Sequence, residues 1–170
     1  MSKWKDLSGT DVSGVLLICV LLLGAAPKVG GITLPPGFSD TAVADVASPT
    51  ALAFAPDGRL LIAAQPGRLW VYQNGVLSPT PALELTGICT NSERGLLGVA
   101  VHPGFAATPY VYLYYTARNA GSCVNRVSRF VWSEGNVLSD EFVLVDNMPS
   151  PNGNHNAGDL HFGKDGFLYI

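Results

Sequence analysis

The fold of this chain is decided by a short repeated stretch, which reads LAFAPDGRLLI at residues 52–62 and LHFGKDGFLYI at residues 160–170. A looser copy with an insertion occupies residues 99–112, so the copies begin 47 and 61 residues apart. Each copy predicts a strand, a turn at Asp-Gly or Pro-Gly, and a returning strand. Units of about 40–50 residues with several strands each are typical of β-propeller blades. A sandwich of unrelated hairpins is the alternative.

Short runs outside the motif are also rich in β-branched and aromatic residues. Strands are predicted at residues 59–64, 68–72, 110–116 and 125–132. The dipeptide Asn74-Gly75 is a strong signal for a two-residue hairpin turn. No window after the first 26 residues repeats apolar residues at the spacing of a helix, so the predicted fold is all-β.

The third copy stops at Ile170, inside its returning strand. Propellers close with roughly 4–8 blades. We therefore expect the chain to hold the first two to three blades of a β-propeller, as the N-terminal part of a longer protein.

The composition excludes two classes of protein. Hydrophobic residues make up 48% of the 170 residues, which is too apolar for a disordered chain and sufficient for a sizeable core. The 10 Lys and Arg residues are outnumbered by 13 Asp and Glu residues, the net charge is −3, and no basic run is present. Nucleic acid is therefore excluded as the expected partner.

The N-terminus predicts export. An uncharged aliphatic stretch at residues 15–26 is shorter than the roughly 20 residues of a bilayer span and matches the length of a signal-peptide core. Small residues at 24–26 form a candidate cleavage site, which gives a signal peptide at residues 1–26 and a secreted or periplasmic protein with no stable membrane span. Two aspartates dilute the positive charge before this stretch, so an uncleaved membrane anchor or a buried helix is the alternative.

Cleavage after residue 26 would remove Cys19 and leave only Cys89 and Cys123. Thiols oxidise outside the cytosol, so these two cysteines are candidate disulfide partners. Two unconnected thiols are the alternative.

The loop at residues 149–160 is the first candidate for chemistry, because it is polar and glycine-rich and carries His155 directly before a strand. Histidine titrates near neutrality and can take a proton from a substrate hydroxyl; a solvated or structural histidine is the alternative. Asp159 and His161 are two further possible metal ligands, but zinc needs three or four converging ligands and this spacing matches no template. His102 lies in a His-Pro-Gly turn and is interpreted as structural.

The second candidate loop spans residues 90–98, where Glu93 and Arg94 precede two glycines. Glycine allows the backbone to approach a ligand or another blade closely. A buried pair of Glu93 and Arg94 that ties two blades together is the alternative interpretation.

Three ordered motifs carry a family resemblance: ERGLLGVAVHP at residues 93–103, NRVSRF at residues 125–130 and HNAGDLHFGKDG at residues 155–166. Together they resemble the glucose/sorbosone dehydrogenase family, whose members are soluble aldose dehydrogenases built as six-bladed propellers and dependent on pyrroloquinoline quinone (PQQ). The resemblance begins near residue 34 and defines a domain at residues 34–170. Lys164 stands where the family usually has proline, and Ala157 stands where glycine is common.

The resemblance implies roles for individual residues. His155 matches the general base that takes the proton from the C1 hydroxyl of the sugar while hydride passes to PQQ. Asn154 and Glu93 match substrate contacts, although the glucose enzyme has Asp and Gln at these two places. The residues that hold PQQ and its Ca²⁺ are expected beyond Ile170, so no metal site is expected here. The family brings the loops beside Cys89 and Cys123 together, which implies a disulfide between them.

The resemblance thus implies an exported PQQ- and calcium-dependent aldose dehydrogenase that uses a sugar substrate and an external electron acceptor. Because the PQQ and Ca²⁺ residues are expected elsewhere, residues 1–170 alone are expected to be inactive. Two alternatives stay open: a non-catalytic propeller that binds protein or carbohydrate, and a calcium-dependent hydrolase of the lactonase type on the same fold.

Overall fold

The computed structural model describes residues 33–170, so the predicted signal peptide at residues 1–26 lies outside the described residues. The chain divides into two units, residues 1–40 and residues 41–170. The described part of the first unit contains a turn in which the Phe38 amide donates a hydrogen bond to the Pro35 carbonyl oxygen, 3.2 Å away. No helix within residues 33–170 is long and apolar enough to cross a membrane.

The second unit contains three antiparallel sheets. The first sheet comprises β1 (Pro49–Phe54), β2 (Leu60–Ala64), β3 (Arg68–Gln73), β4 (Val76–Leu77) and β5 (Leu83–Glu84). The second sheet comprises β6 (Leu96–Val101), β7 (Tyr110–Asn119), β8 (Ser122–Ser133) and β9 (Val137–Pro149). The third is a hairpin of β10 (His161–Phe162) and β11 (Leu168–Tyr169).

The repeated motif forms the first hairpin of each sheet, namely β1–β2, β6–β7 and β10–β11. In the first and third hairpins the same residue explains the turn. The Asp57 carboxylate accepts a hydrogen bond from the Arg59 amide at 3.2 Å, and Asp165 accepts one from the Phe167 amide at 3.1 Å. The glycine after each aspartate has a φ near +85°, at +88° in Gly58 and +83° in Gly166, which side chains disfavour.

The first and second sheets are meanders in which four strands follow one another in order, and β5 also pairs with β3. Asn74 and Gly75 form the tight β3–β4 turn, both with positive φ, as the sequence predicts. Four-stranded antiparallel sheets stacked in sequence are the architecture of propeller blades. The predictions of an all-β fold and of blade-like units are confirmed.

The first three strands of the second sheet, β6, β7 and β8, are packed on both faces, whereas β9 is largely exposed. One face packs on the first sheet in a large apolar core to which Leu61, Leu69, Leu113 and Trp132 contribute. The other face packs on the third hairpin through Tyr114, Val127 and Leu160, which form a second core. The stacking brings the ends of adjacent sheets together, and this positions the two candidate loops.

Candidate active site

The two candidate loops lie side by side, each leading into the first strand of a sheet. We call residues 90–95, which precede β6, the acidic loop, and residues 150–160, which precede β10, the histidine loop. The Glu93 amide donates to the Gly153 carbonyl oxygen at 3.0 Å. A side chain at Gly153 would place its Cβ only 2.7 Å from the Ser92 Cβ, so glycine is needed for this close approach.

The three residues to which the sequence assigns catalytic and substrate-binding roles come together at this contact. The His155 amide donates a hydrogen bond to the Glu93 carboxylate, with 2.6 Å between the nitrogen and Oε2. The Ser92 hydroxyl hydrogen-bonds to the side-chain oxygen of Asn154. Glu93, Asn154 and His155 are all exposed, so their side chains can be reached by a ligand from solvent.

His155 has a left-handed backbone conformation with φ +60°, and Ala157 has φ +58°. Such conformations are uncommon outside glycine and persist where surrounding contacts enforce them. Between the two lies Asn156, which is 3% exposed and anchors the loop in the protein. The exposed histidine is therefore carried by a backbone that is tied down on both sides.

A buried polar network ties the histidine loop to the acidic loop. Arg94 donates from Nε to the Ser150 hydroxyl at 2.9 Å and from Nη2 to the Ser150 carbonyl oxygen. Ser150 in turn donates to the Asn156 side-chain oxygen at 2.5 Å, and Asn156 donates to the Gly153 carbonyl oxygen at 2.8 Å. Buried polar groups of this kind are costly unless each is paired, so a satisfied network selects one loop conformation.

The network continues into the second sheet. The Asn125 amide group donates to the Asn156 side-chain oxygen at 3.3 Å, and the Thr116 hydroxyl donates to Asn125 at 2.9 Å. Thr116 and Asn125 lie opposite each other on β7 and β8 and are buried. The histidine loop is thereby anchored on the rigid part of the fold.

Arg94 does not pair with Glu93, so the alternative of a buried Glu–Arg pair is wrong. Among residues 33–170, no carboxylate lies within 4.0 Å of the Arg94 guanidinium. Arg94 is 9% exposed and turns inward to Ser150 and Asn91, whereas Glu93 turns outward to His155. The chain turns at these residues, since the Arg94 amide donates to the Asn91 carbonyl oxygen at 3.2 Å, and each charged side chain has its own partner.

The first sheet also contributes to the site through Gln65, which sequence reasoning misses. The Gln65 side-chain amide donates to the carbonyl oxygens of Ser92 and Arg94, at 2.6 and 3.0 Å. Gly95 lies against Gln65, where an added Cβ would be 2.3 Å from the Gln65 carbonyl oxygen. The only signal in the sequence is the position of Gln65 in the turn between two predicted strands.

A cleft of about 270 Å³ lies where the first strands of the three sheets approach one another. Its walls include Thr50 of β1, Gly98 of β6 and the segment from Gly158 to His161. Gly98 and Gly158 pack so closely that a Cβ on Gly98 would lie 1.8 Å from the Gly158 carbonyl oxygen. The cleft therefore depends on these two glycines for its shape.

Among the described residues, the other two histidines make no hydrogen bond with Glu93, Asn154 or His155, although His161 contributes to the wall of the cleft. His161 Nε2 lies 3.0 Å from Asp159 Oδ1, and both side chains are largely exposed. His102 accepts a hydrogen bond from the Gly104 amide at 3.0 Å and packs edge-on against Phe162, with ring centroids 5.7 Å apart. Within residues 33–170, no group of three or more His, Cys, Asp or Glu side chains could hold a metal ion.

Cys89 and Cys123 form a disulfide with Cα atoms 6.1 Å apart and a sequence separation of 34. The Cys89 amide donates to the Thr116 carbonyl oxygen at 2.9 Å, so the bridge ties the entry to the acidic loop onto the second sheet. Closing a loop of this length contributes about 3–4 kcal/mol to stability on the chain-entropy model.

Comparisons with known proteins agree with this architecture. The family model for glucose/sorbosone dehydrogenase matches residues 46–170. The aldose sugar dehydrogenase YliI of Escherichia coli is 31% identical over 130 residues, which cover 72% of this chain and 34% of that protein. The chain thus spans about a third of the length of the curated relatives that it matches first.

Two solved structures show the same fold. A Thermus thermophilus structure named as an oxidoreductase (glucose dehydrogenase) is 41% identical to this chain, with a TM-score of 0.67. The match covers 75% of this chain and 38% of that one. The PQQ-bound aldose sugar dehydrogenase of Streptomyces coelicolor is 28% identical with a TM-score of 0.67, covering 76% of this chain and 39% of that one. The three sheets described above are therefore part of a β-propeller of the sugar dehydrogenase type.

Proposed function

The chain belongs to the glucose/sorbosone dehydrogenase family, and from this premise we propose that the whole protein oxidises the C1 hydroxyl of an aldose sugar. The observation that carries the proposal is the convergence of Glu93, Asn154 and His155 at one exposed point between two sheets. Two loops that are 62 residues apart in sequence supply these side chains. They are the positions that match the family's base and substrate contacts.

His155 is proposed as the general base. Its imidazole is exposed, while its backbone is held by Glu93 on one side and by the buried Asn156 on the other. A base must be within hydrogen-bond reach of the proton it accepts, and a fixed backbone reduces the entropy lost in reaching that geometry. The imidazole would take the hydroxyl proton as the C1 hydrogen leaves the sugar.

Glu93 and Asn154 are proposed to orient the sugar. A carboxylate accepts hydrogen bonds from hydroxyls, and a side-chain amide both accepts and donates, so the pair can hold neighbouring hydroxyls of a pyranose. One Glu93 oxygen is engaged by the His155 amide, and the other is the one proposed to receive a sugar hydroxyl. These two residues would therefore influence which aldose is accepted.

PQQ and Ca²⁺ are proposed as cofactors of the whole protein from the family and from the PQQ-bound relative. PQQ, when bound, would accept the hydride. The two loops fit the proton-accepting part of this chemistry, with a base and two hydroxyl-binding groups. They do not fit as the cradle for an anionic quinone, because Arg94, the only Lys or Arg in them, is buried against Ser150 and Asn91. We propose that other residues of the whole protein hold the cofactor and that an external acceptor reoxidises it.

Export is proposed from the leader at residues 1–26, and the domain boundary from the resemblance that begins near residue 34. A disulfide between Cys89 and Cys123 suits an oxidising compartment. A secreted or periplasmic location follows from both features.

The test of this function is His155→Ala in the full-length protein supplied with PQQ and Ca²⁺. General-base catalysis contributes about 10²–10⁴-fold, so kcat for aldose oxidation should fall in this range. PQQ affinity should stay near the wild-type value, because the base acts only as the proton leaves.

His161→Ala is the matched control, since His161 is exposed, close in sequence and bonded to Asp159. It should leave kcat near the wild-type value. Small and equal effects of the two variants would refute the dehydrogenase proposal and favour a non-catalytic binding propeller.

A further inference from the structure

We propose that Glu93 is a positioning residue for His155, fixing the backbone from which the imidazole projects; this rests on the proposed function, in which His155 is the base. The contact that carries the proposal joins the His155 amide to Glu93 Oε2 at 2.6 Å. Hydrogen bonds to an ionised carboxylate are shorter and stronger than neutral ones. The role goes beyond the substrate contact that the family resemblance implies for Glu93.

His155 needs such a partner because its backbone is in a disfavoured conformation. With φ +60°, it departs from the backbone that a histidine adopts by itself, and two residues later Ala157 repeats the departure. The side chain of His155 is exposed, so burial of the ring does not hold the residue in place. Among residues 33–170, the Glu93 carboxylate is the only hydrogen-bond acceptor of the His155 amide.

Glu93 can act in this way because its own backbone is fixed from both sides. The Glu93 amide donates to the Gly153 carbonyl oxygen at 3.0 Å. The carbonyl oxygens of the residues on either side, Ser92 and Arg94, both accept from the Gln65 side chain. The carboxylate therefore projects from a segment that is tied to the first sheet and to the histidine loop.

The consequence for chemistry is geometric. The direction of the His155 Cα–Cβ bond is set by the backbone conformation that the Glu93 contact holds. Loss of this contact would therefore let the imidazole move away from the sugar. Misplacement of a reacting group by about 1 Å can cost on the order of 10²-fold in rate. Glu93 acts through His155 in this role, while its free oxygen stays available to the substrate.

The test compares Glu93→Gln with Glu93→Ala in the full-length protein labelled with ¹⁵N only at histidine. The His155 amide is assigned as the histidine signal that disappears from the spectrum of His155→Ala. We expect Glu93→Ala to move the His155 amide proton upfield and to speed its exchange by about 10-fold or more. Glu93→Gln keeps an acceptor oxygen and should retain most of the protection.

The turnover number should fall in the variant in which the His155 amide loses its protection. Glu93→Ala should lower kcat by about 10–100-fold, and Glu93→Gln should restore most of it, even where the loss of charge raises KM. Glu134→Ala, which removes an exposed glutamate in the β8–β9 turn, is the matched control and should change neither measurement.

An unchanged His155 amide in Glu93→Ala would overturn the positioning role, as would a change in KM alone. The amide measurement does not depend on activity, so the two proposals fail separately. If the amide responds and His155→Ala leaves kcat unchanged, the proposed function falls, and with it the catalytic purpose of the contact.

Discussion

Ala157 has a backbone conformation that favours glycine over alanine. Its φ of +58° lies in the left-handed region, which costs a residue other than glycine roughly 1–2 kcal/mol. Its side chain is exposed, so no buried contact offsets this cost. The family resemblance leads us to expect glycine at this position, and the backbone conformation supplies a physical reason for that expectation.

We predict that Ala157→Gly stabilises the protein by about 0.5–1 kcal/mol, because relief of the left-handed conformation exceeds the extra entropy that glycine brings to the unfolded chain. The free energy of unfolding in urea measures the change. Ala106→Gly, in an exposed turn without positive φ, is the control and should destabilise. Equal destabilisation by both substitutions would contradict the prediction.

At the same scale, the sequence predicts residue types better than it predicts their partners. Glu93, Asn154 and His155 are identified as one site from their motifs, and the structure brings them together. The partner of Arg94 is missed, because Ser150 lies 56 residues away and serine carries no charge to suggest the pairing. Thr116 and Asn125 could have been recognised as polar residues at inward positions of predicted strands, which marks a buried network.

Among the elements, β8 and β9 are the two longest strands of the second sheet, and an ion pair joins them on a partly exposed face. Arg126 contacts Asp146 through two hydrogen bonds of 3.0 and 2.7 Å. The hydrogen bond from Arg126 is the main cause that lowers the pKa of Asp146 below its ordinary value of 3.8. A carboxyl with a lowered pKa stabilises the fold above pH 3.8, and this stabilisation is lost as the pH falls through the lower, folded-state pKa.

We predict that the free energy of unfolding decreases less steeply between about pH 5 and pH 2 in Asp146→Asn than in the wild type, because the amide cannot take up the proton. Urea unfolding at a series of pH values measures the slope. Arg126→Gln removes the partner instead of the carboxylate and should reduce the slope in the same way. Wild-type slopes in both variants would show that this ion pair has no part in acid unfolding.

The pair of β8 and β9 also shows which kind of strand cannot be predicted from the sequence. The hairpins of the repeat are predicted because Asp-Gly turns and alternating apolar residues mark them. β9 is missed because bulges interrupt its register with β8 and because Phe142 and Val145 stay exposed, so no regular burial pattern remains to be read. A strand specified by pairing with its neighbour, rather than by its own pattern, is visible only in the tertiary structure.

In the second unit as a whole, apolar surface is distributed unevenly among the sheets. Strands β6 to β8 of the second sheet are covered on both faces, whereas the first sheet and the third hairpin each have one open face. Phe162 packs edge-on against Tyr112, with ring centroids 5.1 Å apart. Its repeat equivalent, Phe54, is 72% exposed, so the open face of the first sheet has the chemistry of a packing surface without a partner within residues 41–170.

We predict that the double substitution Leu52→Thr/Phe54→Thr in the 170-residue chain weakens two properties by on the order of twofold. One is the binding of a hydrophobic dye, and the other is self-association of the chain. Leu52 and Phe54 project from the same face of β1, while their neighbours Ala51 and Ala53 pack on the core, so the substitutions leave the core intact. Threonine keeps the strand preference and shortens the apolar side chains. Dye fluorescence and sedimentation velocity measure the two effects.

The control is Val76→Thr, which alters a residue that is 67% exposed on the short strand β4 and should change both signals little. If the double variant bound dye and associated as strongly as this control, the open face of the first sheet would not be the adhesive surface.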